Sequence, residues 1–154
     1  MAGGLTFRPL RRDETDAAAR IHRACLENFS FLGQLIHTPE EDRAFYRESV
    51  FGECMILGAF DRGVLTGHVA YKPGWIEHLY VDPDRQGRRI GLLLLDRVKA
   101  ALPDIQLWTF QANEGARRFY ERHDFLAEQY TDGKGNDERE PDVRYRWRRS
   151  DRGA

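Results

Sequence analysis

Val81-Asp-Pro-Asp-Arg-Gln-Gly-Arg-Arg-Ile-Gly91 is the stretch on which the fold turns. Trp75 to Val81 ahead of it reads as a strand, closed by Asp82-Pro83-Asp84. Behind it, Ile90, Leu93, Leu94, Val98, Ala101 and Leu102 recur at helical spacing until Pro103 stops them. The segment is thus a strand, a short polar loop and a helix N-terminus. The first N–H groups of such a helix have no partner inside it, and the helix dipole makes that end positive. Gly87 and Gly91 permit close backbone approach, and Arg85, Arg88 and Arg89 add positive charge, so a pyrophosphate fits there. A solvated turn with ordinary helix-start chemistry has the same composition. Neither the nucleoside-triphosphate P-loop nor the G-x-G-x-x-G turn of a Rossmann unit is present.

Outward from this loop, Leu5 to Leu10 alternates as a half-buried strand. Ala17, Ala18, Ile21, Ala24, Cys25 and Phe29 form a helical stripe. Thr38-Pro39-Glu40-Glu41 is a cap, a first-turn proline and first-turn acids, opening a second helix to about Val50. Cys54 to Phe60 and Val64 to Tyr71 are strands joined at Asp61-Arg62-Gly63. Ile105 to Phe110 is a strand and Asn113 to His123 a helix. Phe125 to Thr131 and Val143 to Trp147 are two last strands around a polar loop. The order β-α-α-β-β-β-α-β-α-β-β predicts one α/β domain over residues 1–154, a mixed, mostly antiparallel sheet of about seven strands with helices on both faces. The C-terminal strand is expected to leave an edge that a second copy would cover as a homodimer.

The 154 residues suit one domain large enough to need no disulfide or metal staple. Lys plus Arg number 24 and Asp plus Glu 25, a net charge of −1, which argues against a dedicated nucleic-acid binder. Arg144, Arg146, Arg148, Arg149 and Arg152 nonetheless make a local basic tail. Cys25 and Cys54 cannot form a disulfide framework or a four-thiolate metal site, and read as reduced thiols of a cytoplasmic chain. Met1-Ala-Gly-Gly shows no secretory signal, Leu92 to Leu95 is too short to cross a bilayer, and Arg-Gly-Ala at the end carries no lipidation box. No metal, membrane or nucleic-acid partner is expected.

Leu79-Tyr-Val-Asp-Pro, then Gln86-Gly-Arg-Arg-Ile-Gly91, then an aliphatic helix resembles motif A of the GCN5-related N-acetyltransferase (GNAT) family. Asn113, Ala116, Phe119, Tyr120 and Phe125 are similar to the family's next motif, one strand further on. The resemblance implies a sheet splayed between its fourth and fifth strands, with acetyl-CoA as co-substrate. It implies that the amides of Gln86, Gly87, Arg88, Arg89, Ile90 and Gly91 hold the pyrophosphate, and that the main chain of Leu79, Tyr80 and Val81 pairs with the pantetheine arm. Asn113 matches a cofactor-contacting position, and Tyr120 the tyrosine near the thioester sulfur. Two positions depart from the family: Arg89 and Asp124 stand where glycine is usual.

Acetyl transfer to an amine needs a neutral nitrogen, a polarised carbonyl and a proton for the leaving thiolate. A lysine-like amine of pKa ~10.4 is handicapped by roughly 4.6 kcal/mol at pH 7, and an α-amine of pKa ~7.7–8.0 by only about 1–1.4 kcal/mol. Tyr120 is the general-acid candidate, although core packing explains its helix face equally. Glu77 and His78 are the candidates for the base and must point to opposite faces of their strand, with His68 third, or a half-buried structural histidine. Asn113 also serves as a helix cap. The acids Asp132, Asp137, Glu138, Glu140 and Asp142 either rim the acceptor site or belong to a solvated hairpin loop. Cys25 and Cys54 are expected away from the thioester, which disfavours an acyl-cysteine route. The expected activity is acetyl transfer to a primary amine of a small molecule or peptide by direct attack in a ternary complex. The rivals are a non-catalytic acyl-CoA-binding sensor or partner module, or acylation of tRNA or another nucleic acid.

Overall fold

The computed structural model describes residues 4–150. The strands are β1 (Leu5–Pro9), β2 (Met55–Asp61), β3 (Val64–Lys72), β4 (Trp75–Val81), β5 (Asp104–Phe110), β6 (Leu126–Tyr130) and β7 (Asp142–Arg148). The helices are α1 (Thr15–Glu27), α2 (Pro39–Phe45), α3 (Phe51–Glu53), α4 (Ile90–Ala101) and α5 (Glu114–Arg122). The seven strands form one sheet in the order β1-β2-β3-β4-β5-β7-β6. Every pairing is antiparallel except β4 with β5. The expected mixed seven-stranded sheet is therefore present, with one correction. The C-terminal strand β7 is internal, and the edges are β1 and β6.

The β4–β5 junction positions everything that follows. The two strands pair only at Trp75 and Gln106, where Gln106 N–H donates to the Gly74 carbonyl at 2.8 Å. Beyond that point their C-terminal ends diverge, and the edge of β4 toward β5 is left without a ladder partner. Parallel neighbours need a crossover connection, and α4 supplies it between β4 and β5.

Two cores hold the layers. Ile90, Leu94, Leu95 and Val98 of α4 are buried against Val69, Ile105, Leu107 and Tyr145 of the sheet. Each such side chain contributes about 1.5–3 kcal/mol through removal from water. On the other face, Ala18 and Ala19 of α1 meet Leu10, Ile56, Phe60 and Ala70. The second helix begins as predicted: Thr38 caps Glu41 N–H at 3.1 Å, and the Glu41 carboxylate returns a bond to Thr38 N–H. It does not continue as one α-helix to Val50. Tyr46–Val50 is a π-helical turn between α2 and α3. The wider turn leaves both Tyr46 and Val50 buried.

Arg89 and Asp124, the two residues standing in for glycine, both adopt left-handed backbone, with φ of 66° and 73°. That conformation crowds Cβ against the carbonyl, which explains the usual glycine. Asp124 follows the C-cap of α5, where glycine ends helices without strain. Asp124→Gly is expected to stabilise the protein by about 1 kcal/mol. Thermal unfolding checks this, as a rise in Tm of about 2–4 °C.

Candidate active site

A cleft of about 700 Å³, a size suited to a large small-molecule ligand, opens along the C-terminal end of β4, beyond the point where its pairing with β5 ends. One wall is Leu79, Tyr80 and Val81 of β4. The second is the 85–92 turn with the start of α4, and the third is the face of α5 carrying Ala116, Phe119 and Tyr120. Of the residues expected to touch the cofactor, Leu79, Tyr80, Val81, Gln86, Gly87, Arg89, Ile90, Gly91, Asn113 and Tyr120 line the cleft. Arg88 is exposed and does not.

The turn is held in place by its own polar groups. Asp82 Oδ1 accepts from Asp84 N–H, the Asp82 carbonyl accepts from Arg85 N–H, and the Arg85 guanidinium reaches Asp61 at 2.9 Å. Gly87 has a φ of 83°, and Arg89 is the N-cap residue of α4, so the free N–H groups of that helix open onto the cleft beside Arg85 and Arg89. These are the groups a pyrophosphate needs. Apolar surface from Leu79, Val81 and Phe119 continues below them. The residues present thus fit a coenzyme A-like molecule, charged at one end and apolar along its arm. At the first turn of α5, Asn113 Oδ1 accepts from Ala116 N–H at 3.1 Å, so the capping role is real.

Tyr120 is buried in the core among Phe119, Phe125 and Tyr145, yet borders the cleft. Burial pushes its hydroxyl well above the ordinary phenol range, so it stays protonated and able to donate. Tyr80 is raised in the same way, chiefly by burial, with smaller contributions from Cys25, Tyr120 and Glu138.

The base candidates separate as strand alternation requires. Glu77 is exposed and pairs with Lys72 at 3.2 Å, and it does not line the cleft. His78 does not line the cleft either; it turns toward α1, among the rings of His22, Phe45, Tyr46 and Tyr80, the last of which does line it. His68 is fully buried rather than half-buried. Its Nε2 lies 2.8 Å from the Tyr46 hydroxyl, and its Nδ1 has no polar partner among the described residues. Sequence reasoning missed His22, which stacks on Tyr80 at 4.3 Å. The available signal was its position on α1, four residues after Ala18 and three before Cys25 on the buried stripe.

Cys25 corrects another expectation. Its thiol lies in the cleft and donates to the Val81 carbonyl at 3.1 Å. Burial pushes that thiol up to about 11, so it is a protonated hydrogen-bond donor rather than a nucleophile. Cys54 is absent from the cleft lining. The acidic loop is built rather than loose. Asn136 bonds the Glu140 carbonyl and Asp142, and Thr131 bonds Asp142. Glu138 from this loop shares a small cavity with Arg23, His37 and Asp42 on the α1–α2 side. Within the basic tail, Arg144 pairs with Glu128, and Arg146 and Arg148 with Asp104. Arg152, Met1-Ala-Gly and the final Arg-Gly-Ala lie outside the described residues.

The buried imidazoles make the fold acid-sensitive. Burial lowers His68 to about 3 and His78 to about 4, and carries His22 well below its ordinary value. The unfolded chain then binds more protons than the folded one below pH ~6.5, so stability falls as pH drops through that value. His68 alone is expected to remove about 2 kcal/mol between pH 7 and pH 5. Urea unfolding at the two pH values checks this, and His68→Gln should flatten the profile by about one proton.

The Acetyltransferase (GNAT) family matches residues 17–125, most of the chain. The chain belongs to the GNAT acetyltransferase family. Solved GNAT-like structures share the fold at low identity. YjaB from Escherichia coli, in its apo form, superposes with a TM-score of 0.77 at 20% identity, over 95% of this chain and 99% of that one. The PaiA N-acetyltransferase from Thermoplasma acidophilum, in complex with coenzyme A, gives 0.74 at 19% identity, over 94% and 98%. YncA from Salmonella typhimurium, with its cofactor acetyl-CoA, gives 0.71 at 16%, over 96% and 95%. No curated protein is detectably similar in sequence. In this GNAT chain no helix among the described residues is long and apolar enough to cross a membrane, and no group of three or more metal-ligating side chains comes together there.

Proposed function

We propose that this protein transfers an acetyl group from acetyl-CoA to a primary amine of a small molecule or peptide, by direct attack in a ternary complex. The observation that carries the proposal is the cleft at the splayed strands, with a helix N-terminus and two arginines at one end and Tyr120 within it. When bound, acetyl-CoA supplies the acetyl group as an activated thioester. The free amides of the 86–91 turn, with Arg85 and Arg89, bind the pyrophosphate. The unpaired edge of β4 around Leu79 to Val81 orients the pantetheine arm in the manner of an added strand. Val81 carbonyl already accepts from Cys25 and from the Gln86 side chain at 3.1 Å, which fixes that edge in one conformation. A main-chain N–H near Val81 is the candidate donor to the reacting carbonyl.

Tyr120 is the proton donor to the departing sulfur, because its hydroxyl is protonated and borders the cleft; burial disfavours a free phenolate, so it gives up its proton only as another replaces it. Cys25, held as a thiol, supports a route without an acyl-enzyme. His78 is better placed than Glu77 to face the acceptor nitrogen, since Glu77 turns outward to Lys72. Calorimetric titration with acetyl-CoA, followed by thiol release with an amine panel, tests the reading. Binding with amine-dependent thiol release is expected. Folded protein that binds no acetyl-CoA would overturn it.

A further inference from the structure

Beside the coenzyme pocket, the α1 face of β4 is walled by imidazoles. His22 and His78 lie 5.2 Å apart between ring centroids, and His22 covers Tyr80. Tyr46 contacts both histidines from the far side and bonds His68 behind them. The other groups near this wall are uncharged or engaged. Cys25 is bonded to Val81, Asp42 to Arg23 at 2.9 Å, and Glu77 to Lys72 across the strand. Glu138 is exposed on its loop and reaches Tyr80 only as a distant charge. Among the described residues no carboxylate lines the cleft, whose charged walls are Arg85, Arg89 and Arg122.

The mouth of the cleft is aromatic. Phe29, just beyond α1, borders it and stacks on Phe31 at 5.3 Å. Phe31 in turn meets Phe110, the last residue of β5, edge-on at 5.7 Å. This wall bridges the segment after α1 to the far side of the splay. Of the three rings only Phe29 lines the cleft itself, and Asp142, opposite Phe110 in the β5–β7 register, is already bonded by Thr131 and Asn136, so the wall offers an incoming molecule apolar surface and an engaged carboxylate.

We propose that the acceptor is an apolar or aromatic primary amine whose nitrogen is already largely neutral at pH 7, rather than a lysine-like alkylammonium. The proposal rests on the transferase reading above. An ammonium has no lone pair to attack with, and entering an apolar mouth whose neighbouring carboxylate, Asp142, is already engaged costs it its hydration. An imidazole enclosed by rings accepts a hydrogen bond from a neutral amine but resists taking a full proton, because burial opposes the charge. With a neutral amine the chemistry balances without an external base. The N–C bond forms as the C–S bond breaks, and Tyr120 passes its proton to sulfur in the same event in which it takes the proton shed by nitrogen, so no buried phenolate is left behind. At pH 7 an amine of pKa ~10.4 is neutral in about one molecule in 2,500, and one of pKa ~7.7–8.0 in about one in 6 to one in 11. Availability alone therefore favours the weaker base by about 200–400-fold.

The test uses four amines: phenylalaninamide, glycinamide, phenethylamine and Nα-acetyl-lysinamide, followed by thiol release at pH 7 and pH 9.5. Phenylalaninamide is expected to lead. At pH 7 its kcat/KM should exceed that of phenethylamine by about 100-fold or more, in line with the neutral fractions. The gap should close as pH rises. Glycinamide should trail phenylalaninamide by about tenfold, the scale of a lost apolar contact. Ring-nitrogen NMR should show His22 and His78 neutral from pH 5.5 to 8. Phe31→Ser should weaken calorimetric binding of phenylalaninamide while leaving acetyl-CoA binding intact. Nα-acetyl-lysinamide or phenethylamine matching phenylalaninamide at pH 7 would overturn the proposal and leave the transferase reading standing. Acetyl-CoA binding with none of the four acetylated would overturn it as well. Absence of acetyl-CoA binding would remove both.

Discussion

Tyr120→Phe is expected to lower kcat by about 100-fold while leaving KM for acetyl-CoA within about threefold, the signature of a lost general acid. The phenol is buried and held in its neutral form, so it carries a proton throughout the working pH range. A thiolate resembling cysteine's, of pKa ~8.5, leaves more readily when a proton is delivered as the C–S bond breaks. Phenylalanine keeps the ring against Phe119, Phe125 and Tyr145, so the substitution removes one hydroxyl and little packing. Tyr120→Ala, by contrast, would also open a core cavity at a cost of about 3–5 kcal/mol and confuse the two effects. Steady-state kinetics with saturating amine is the measurement. A kcat within threefold of the parent would make Tyr120 a packing residue only.

Arg89→Glu should weaken acetyl-CoA binding by about 100-fold, equivalent to about 2.8 kcal/mol, and Arg88→Glu by less than about fivefold. The two arginines are adjacent and chemically identical, yet only Arg89 lines the cleft. Arg89 is the N-cap residue of α4, so a carboxylate there sits among the helix amides that a pyrophosphate would use, and repels it. Calorimetry at low and high salt checks the pair, since an electrostatic loss shrinks as salt rises. Equal losses at both positions would mean that the turn acts as a diffuse basic patch instead of a directed cradle.

The same contrast shows how far the sequence reaches. The strand, polar loop and helix start around Gly87 and Gly91 were legible because their signals are local: turn formers, a helical apolar stripe and a proline stop. The departures at Arg89 and Asp124 were visible too, and both carry positive φ. The side-chain directions of Arg88 and Arg89 were not legible, since one residue of left-handed backbone sends neighbouring side chains to different sides of the turn. Glu77 and His78 were known to oppose each other, because strand alternation guarantees it. Which of them faces α1 depends on how β4 pairs with β3, where His78 lies opposite Ala70 and Tyr80 opposite His68. Cys25 is expected away from the cleft because it belongs to the first helix; its bond to the Val81 carbonyl joins residues 56 apart, which no local pattern encodes.

Local chemistry in the chain alone determined most of the elements, their order, the glycine- and arginine-rich turn and the pairing of motifs that resembles the family. Their period, caps and breakers act within a few residues, where chain connectivity fixes the neighbours. The tertiary structure alone decided that β7 lies inside the sheet, and that Cys25 meets Val81. It also gathered His22, His68 and His78 around Tyr46 and brought Phe31 to Phe110. Each of these joins residues far apart in the chain. Such contacts are set by sheet order, register and the burial of whole faces, none of which a local pattern encodes.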